Sequence, residues 1–194
     1  KGKNLYALYN SKESARKNDE LIVTEGYTDV ISLHQSGFDT AVAPLGTSLT
    51  EEQIKLLWRF ARKPILCFDG DNAGQRAAMR AAERALPLIK PGYSLQFVML
   101  PGGEDPDSFI RANGPKAARK MFSGAIALSE VLWKIETIGF KLDTPEDRSW
   151  LERRLRERTL QIKDDTVRRY YLTEFKERLR QRLSLIHISE PTRL

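Results

Sequence analysis

Short apolar, β-prone runs alternate along this chain with stretches whose apolar residues recur every three or four positions, the pattern of strands joined by helices. Leu21-Ile22-Val23-Thr24 predicts a first strand. Val30, Ile31, Leu33 and His34 share one face of a helix from about residue 29 to 35, which Gly37 ends. Residues 40–43 form a short second strand, and Thr50-Glu51-Glu52-Gln53 is a capping box opening a helix to about residue 62. Pro64 leads into a third strand over 65–68. An Ala- and Arg-rich helix follows from Asn72 to about Leu88 and stops before Pro91-Gly92. A fourth strand covers 94–100, and a short helix follows Asp107. Strands separated by helical crossovers lie parallel. The expected fold class is therefore α/β, with a mainly parallel sheet flanked by helices.

Two stretches fall outside that rhythm. Residues 1–20 are polar and basic around an apolar patch, Leu5-Tyr6-Ala7-Leu8-Tyr9, and read as a lead-in. Beyond Gly124 only helical patterns remain, at about 126–138, 145–162 and 165–183; Thr144 caps the second and Pro145 takes its first position. The organisation expected is a lead-in over 1–20, a metal-binding α/β unit over 21–124, and a small all-α bundle over 125–183. Residues 184–194 lose their charge and break the amphipathic pattern, and are read as a non-native tail.

Composition narrows the classes. At 41% hydrophobic, 194 residues can bury a real core, and no apolar run approaches the roughly 20 residues of a membrane span. The first residues do not form a signal peptide. A single cysteine, Cys67, excludes a disulfide framework and a thiolate zinc site. The expected location is cytoplasmic, with no membrane partner. Net charge is +6, and residues 145–183 carry twelve Lys/Arg against eight Asp/Glu, which suits a polyanionic partner.

The candidate chemistry is acidic all the same. The first strand runs into Glu25-Gly26, the third into Asp69-Gly70-Asp71, and the fourth, after Pro101-Gly102-Gly103, into Glu104-Asp105-Pro106-Asp107. The carboxyl ends of parallel strands share one edge, where ligands bind. Glu25, Asp69, Asp71, Asp105 and Asp107 are therefore expected to crowd one rim. Carboxylates that close repel unless a cation lies between them. Oxygen donors without His or Cys select Mg²⁺, with Mn²⁺ able to substitute, and zinc is not expected. Asp69-Gly70-Asp71 does not open an EF-hand, because Ala73 and Arg80 stand where that loop needs ligands. A haloacid-dehalogenase-type phosphatase also places Asp-x-Asp after a buried strand, but leaves the other acids without a role. A plain turn is the remaining alternative. Asp29, one turn beyond Glu25, either supports the site or caps its helix. Arg76, Arg80 and Arg84 form a stripe that is either a solvated face or a phosphate track; Tyr6, Tyr9 and Trp58 could stack bases, with core packing favoured for Trp58.

Taken in order, Glu-Gly, Asp-Gly-Asp and Asp-Pro-Asp on successive strands resemble a TOPRIM domain, the module shared by primases, topoisomerases and some nucleases. The wider series narrows this. Glu25-Gly26-Tyr27-Thr28-Asp29-Val30, Ala43-Pro44-Leu45-Gly46-Thr47-Ser48, Phe68-Asp69-Gly70-Asp71-Asn72-Ala73-Gly74 and Leu100-Pro101-Gly102-Gly103-Glu104-Asp105-Pro106-Asp107 are similar to the catalytic core of bacterial replicative primases of the DnaG type. The lead-in and trailing helices fit as well, so the likeness covers about residues 1–183. It implies RNA primer synthesis on a single-stranded DNA template from ribonucleoside triphosphates, by metal-dependent nucleotidyl transfer that yields an RNA primer–DNA hybrid. It assigns catalysis to Glu25, Asp69 and Asp71, and metal binding to these three with Asp105 and Asp107. It places Lys1 and Lys3 near the nucleotide, and Arg76, from the arginine stripe, is the further candidate for nucleotide or nucleic-acid contact. The family's zinc-binding domain, the basic N-terminal half of the core and the module that binds the replicative helicase are expected to be absent, leaving a fragment that primes weakly or not at all by itself. Two other readings stay open: a TOPRIM nuclease or topoisomerase-like enzyme using the same acids, and a non-catalytic docking module whose acids serve structure.

Overall fold

The computed structural model describes residues 2–45 and 48–189. Six strands build one sheet in the order β1-β3-β2-β4-β5-β6: β1 Leu5–Tyr6, β2 Ile22–Val23, β3 Ala41–Pro44, β4 Ile65–Phe68, β5 Gln96–Met99 and β6 Ile126–Ala127. The central four are parallel, with Ile22 opposite both Ala41 and Ile65, and Leu66 opposite Phe97. β1 and β6 close the two edges antiparallel, Leu5 opposite Pro44 and Ile126 opposite Phe97. The helices are α1 Leu8–Asn18, α2 Tyr27–Gln35, α3 Glu51–Leu57, α4 Asn72–Ala85, α5 Pro106–Ser123, α6 Leu128–Thr137, α7 Pro145–Leu160 and α8 Asp165–Ser189.

β2 and β4 are buried at every position, which is why they read as continuous apolar runs and not as an alternation. Successive residues of a strand point to opposite faces. Ile22, Ile65, Cys67 and Val98 accordingly join one core with Val30, Leu33, Ile110 and Phe122 of α2 and α5. Val23, Leu66, Phe68 and Phe97 join the other, with Ile54 of α3 and the alanines of α4. Small side chains at Ala78, Ala81, Ala82 and Ala85 let α4 lie close on the sheet. Leu128, Leu132, Leu151, Leu155, Phe175 and Leu179 belong to that same second core, so α6, α7 and α8 pack on the α4 side. A buried ion network secures the contact. Arg154 and Arg158 of α7 each donate from Nε to the wholly buried Glu136 of α6 at 2.6 Å, and Arg158 also pairs with Glu83 of α4 at 3.0 Å.

The mainly parallel sheet agrees with expectation, and several elements differ. The lead-in contains β1 and α1. α1 buries only Ser11 and Ala15, and Ser11 Oγ donates to the Ala41 carbonyl at 3.1 Å, so little apolar periodicity marked it. α3 is shorter than expected, ending at Leu57, with Trp58 packed in the core and donating from Nε1 to the Ser94 carbonyl at 2.8 Å. The helix after Asp105 is long, running to Ser123 through a break at Gly114, whose φ of 79° precedes Pro115. β6 pairs with β5 where only helices were expected. The backbone of α8 continues to Ser189, past the residue 183 at which the pattern ends; of the suspected tail, 190–194 lie outside the described residues. No helix among the described residues is long and apolar enough to cross a membrane.

Candidate functional site

The three acidic segments emerge from adjacent parallel strands at one sheet edge. Glu25 follows β2, Asp69 follows β4 directly, and Asp105 follows the loop after β5. Glu25 is exposed, and its Oε1 accepts the backbone N–H of Asp69 at 3.3 Å, linking the first two segments. Backbone bonds link the second to the third: Gly70 N–H donates to the Glu104 carbonyl at 3.0 Å, and Gly103 N–H to the Gly70 carbonyl at 3.1 Å. Gly70 has to be glycine, since a Cβ there would lie 2.4 Å from the Leu100 carbonyl oxygen and 2.8 Å from Gly103 N. Gly74 is bound the same way, its absent Cβ falling 2.2 Å from the Asp69 carbonyl oxygen.

Two acids are also helix caps. Asp71 Oδ1 accepts the Gly74 N–H at 2.7 Å and starts α4. Asp105 Oδ1 accepts the Ser108 N–H at 2.7 Å, while Ser108 Oγ receives the Asp105 N–H at 3.0 Å and completes a capping box on α5. Asp107, in the first turn of α5, pairs with Arg111 at 2.5 Å. Asp29 is 7% exposed, and its Oδ2 accepts the Gly26 N–H at 3.1 Å, so it fixes the turn that carries Glu25.

Like charges accumulate here. Burial, reinforced by Glu25, Asp29, Asp105 and Asp71, pushes the Asp69 carboxyl up from 3.8 to about 6. Asp29 is also pushed up to about 6, mainly by burial, with Asp105, Asp107 and Glu25 adding to it and the Gly26 hydrogen bond opposing. Asp69 Oδ1 is buried and accepts no hydrogen bond within the protein. An orphaned buried carboxylate oxygen among other carboxylates fits a hard cation, as does a donor set made only of oxygens. Among the described residues, however, no three acidic, His or Cys side chains are already close enough to hold an ion. The acids are gathered on one rim without being drawn together.

The other candidates divide. Lys3 and Arg76 are exposed, and Lys1 lies outside the described residues. Arg84 donates to Ser48 Oγ at 3.0 Å and to the Leu49 carbonyl at 2.7 Å, so it anchors that loop; Arg80 lies on the wall of a cavity of about 320 Å³ that also touches Glu25. His34 Nε2 is 2.9 Å from the Ala41 carbonyl oxygen and serves the fold. Tyr27 enters the sequence reading only as part of the Glu25 motif. It is 60% exposed two residues beyond Glu25 and meets Tyr6 edge to face, with centroids 6.0 Å apart.

Residues 19–98 match the family model of the Toprim domain, and residues 129–184 that of the DnaB-helicase binding domain of primase. The DNA primase of Rickettsia felis is 42% identical over 183 residues, which are 94% of this chain and 31% of that protein. The chain thus spans about a third of the length of the curated relatives it matches. Among solved structures, the Escherichia coli primase catalytic core gives a TM-score of 0.84 at 40% identity, covering 92% of this chain and 57% of that one. A DnaG primase catalytic domain bound to ssDNA gives 0.83 at 39% identity, covering 91% and 57%. The match over 129–184 falls on the trailing helices, where the sequence pattern suggests no helicase-binding module. Three amphipathic helices without a chemistry-bearing motif look alike in sequence, so the pattern alone does not bring out that likeness.

Proposed function

The chain belongs to the DnaG-type family of bacterial DNA primases, as a TOPRIM-containing fragment of the catalytic core, and from that premise we propose that its acidic rim is the metal-binding half of a primer-synthesising site. The reaction is the joining of ribonucleoside triphosphates on a single-stranded DNA template, with release of pyrophosphate and formation of an RNA primer–DNA hybrid. Glu25, Asp69, Asp71, Asp105 and Asp107 are the residues that would hold Mg²⁺ or Mn²⁺. Bound there, the ions would activate the attacking 3′-hydroxyl and stabilise the leaving pyrophosphate.

The observation that carries this reading is the buried, unpartnered Oδ1 of Asp69 among neighbouring carboxylates. The protein groups around it have separate tasks. Asp71 and Asp105 are rigidly placed by capping α4 and α5. Asp29 holds the Glu25-Gly26 turn. Glu25, exposed at the rim, can take the proton of the attacking hydroxyl. Lys3 and Arg76 would meet phosphate groups of nucleotide or template. Residues 129–184 would bring the chain to the replicative helicase, in the bacterial cytoplasm. A phosphodiester-cleaving enzyme on the same acids is less well supported, since His34 is engaged with Ala41 inside the fold. By itself this chain is expected to prime weakly.

Calorimetric titration with Mn²⁺ of the parent and of the Asp69→Asn/Asp71→Asn variant tests the assignment. Binding by the parent and its loss in a variant that melts normally is the expected result. Equal binding by both, or none by the parent, overturns the rim as a metal site in this chain.

A further inference from the structure

The chain has three methionines, and all three line one cavity. Met79 lies on α4, Met99 ends β5, and Met121 lies near the end of α5. The cavity, of about 540 Å³, lies where β5 outruns β6, whose two residues pair only with Gln96 and Phe97. Phe97, Val131, Ile135 and Ile138 add to an apolar wall in which Gln75 and Lys134 supply the side-chain hydrogen-bond donors. Flexible thioethers fill irregular apolar gaps. Met79 is nevertheless 40% and Met99 37% exposed, so both are open to small oxidants in solution, while Met121 is half-buried. The other sulfur in the chain is closed off. Cys67 is buried, and that burial, reinforced by the charges of Asp69, Asp29 and Glu25, pushes its thiol up and away from the reactive thiolate.

Met99 also stands at the root of the acidic rim. In register it lies opposite Phe68, the residue before Asp69. Leu100 N–H donates to the Phe68 carbonyl at 3.1 Å, and the Leu100 carbonyl oxygen is the atom that a Cβ on Gly70 would strike. Gly70 itself forms part of the cavity wall. Close packing leaves little slack between the end of β5 and the Asp69-Gly70-Asp71 turn.

We propose that Met99, together with Met79 in the same cavity, is a site of reversible oxidation by hydroperoxides, and that the Met99 sulfoxide weakens divalent-ion binding at the rim. The inference rests on the metal-site reading of that rim. Sulfur attacks the outer oxygen of the hydroperoxide; an S–O bond forms as the O–O bond breaks, and the proton of the attacked oxygen passes to the departing one. The thioether is oxidised by two electrons to the sulfoxide, and the hydroperoxide is reduced to an alcohol, or to water when it is hydrogen peroxide. An S=O group against an apolar wall turns outward to water. That draws the end of β5 away from Gly70 and strains the bonds from Gly70 to Glu104 and from Gly103 to Gly70 that join two of the acidic segments.

The test treats the ion-free full chain with hydrogen peroxide, removes the peroxide, locates sulfoxides by peptide mass spectrometry and titrates Mn²⁺ by calorimetry. Met99→Leu and Met79→Leu, both close in volume to the parent, are carried alongside. Sulfoxide should form at Met79 and Met99 ahead of Met121. The affinity of the oxidised parent for Mn²⁺ should fall about fivefold or more, and methionine sulfoxide reductases should restore it. Met99→Leu should bind Mn²⁺ equally before and after peroxide, whereas Met79→Leu should still respond. Oxidation of Met121 first, or unchanged Mn²⁺ affinity in the oxidised parent, overturns the proposal and leaves the rim a metal site. A fall that persists in Met99→Leu, or loss of the parent's circular dichroism on oxidation, overturns it as well, since the damage then lies elsewhere or is general. No Mn²⁺ binding by the untreated parent removes the metal reading and the coupling with it.

Discussion

The acidic rim and the α6–α7 junction both bury charge, and they treat it in opposite ways. At the junction, Glu136 is fully buried and neutralised by two guanidiniums, one of which reaches on to Glu83. At the rim, Asp69 is partly buried among acids of its own sign, and one of its oxygens has no partner. A neutralised buried network holds elements together; an unneutralised one leaves a charge for something else to satisfy. That contrast separates a structural carboxylate from a functional one, although both are carboxylates in the α4 neighbourhood.

The comparison breaks most severely at Glu136. Glu136→Ala leaves Arg154 without its carboxylate partner and Arg158 with Glu83 alone, and should cost about 3 kcal/mol of stability in urea denaturation. Divalent binding at the rim should survive in the folded fraction. Gly70→Ala attacks the rim instead. Its Cβ would press on the Leu100 carbonyl, so a loss of about 2 kcal/mol is expected, with weakened Mn²⁺ affinity because the Asp69 and Asp105 loops part.

Smaller effects sharpen the contrast. With its carboxyl near pH 6 in the folded chain against 3.8 unfolded, Asp69 holds its proton more tightly when folded. Ion-free stability should therefore fall as pH rises from about 4 to about 6 and level off above, by about 1–2 kcal/mol after solvent screening, with Asp29 acting in the same direction. Saturating Mg²⁺ should reverse the slope, because protons then compete with the ion; thermal melts across this window, with and without Mg²⁺, check it. Asp69→Asn should raise ion-free stability at pH 7.5 by about 1 kcal/mol while abolishing Mn²⁺ binding. A variant both steadier and silent toward the ion is something no substitution at Glu136 can yield.

What could be read from the chain follows from how much each element buries. β2 and β4 announce themselves because both faces are covered, and Asp69-Gly70-Asp71 is conspicuous because acids follow an apolar run directly. Capping residues such as Thr50 and Thr144 declare helix starts locally. β1 and β6 are two residues each, too short to show a period, and they pair only because β3 and β5 offer open edges. α1 rests on a buried serine and an alanine, which no hydropathy pattern reveals. At the site, the gathering of the acids was legible. The burial of Asp29 and the missing partner of Asp69 Oδ1 depend on tertiary packing, and were not.

The double duty of Asp71 and Asp105 has a spectroscopic consequence. Each cap ties a backbone amide to a rim carboxylate at 2.7 Å, Gly74 to the first and Ser108 to the second. An ion that polarises either carboxylate changes the field at that amide proton. The two amides are therefore built-in reporters: in a ¹⁵N-correlated spectrum, their resonances register occupancy of the rim from two different helices, and whether they move together or in turn counts the binding steps.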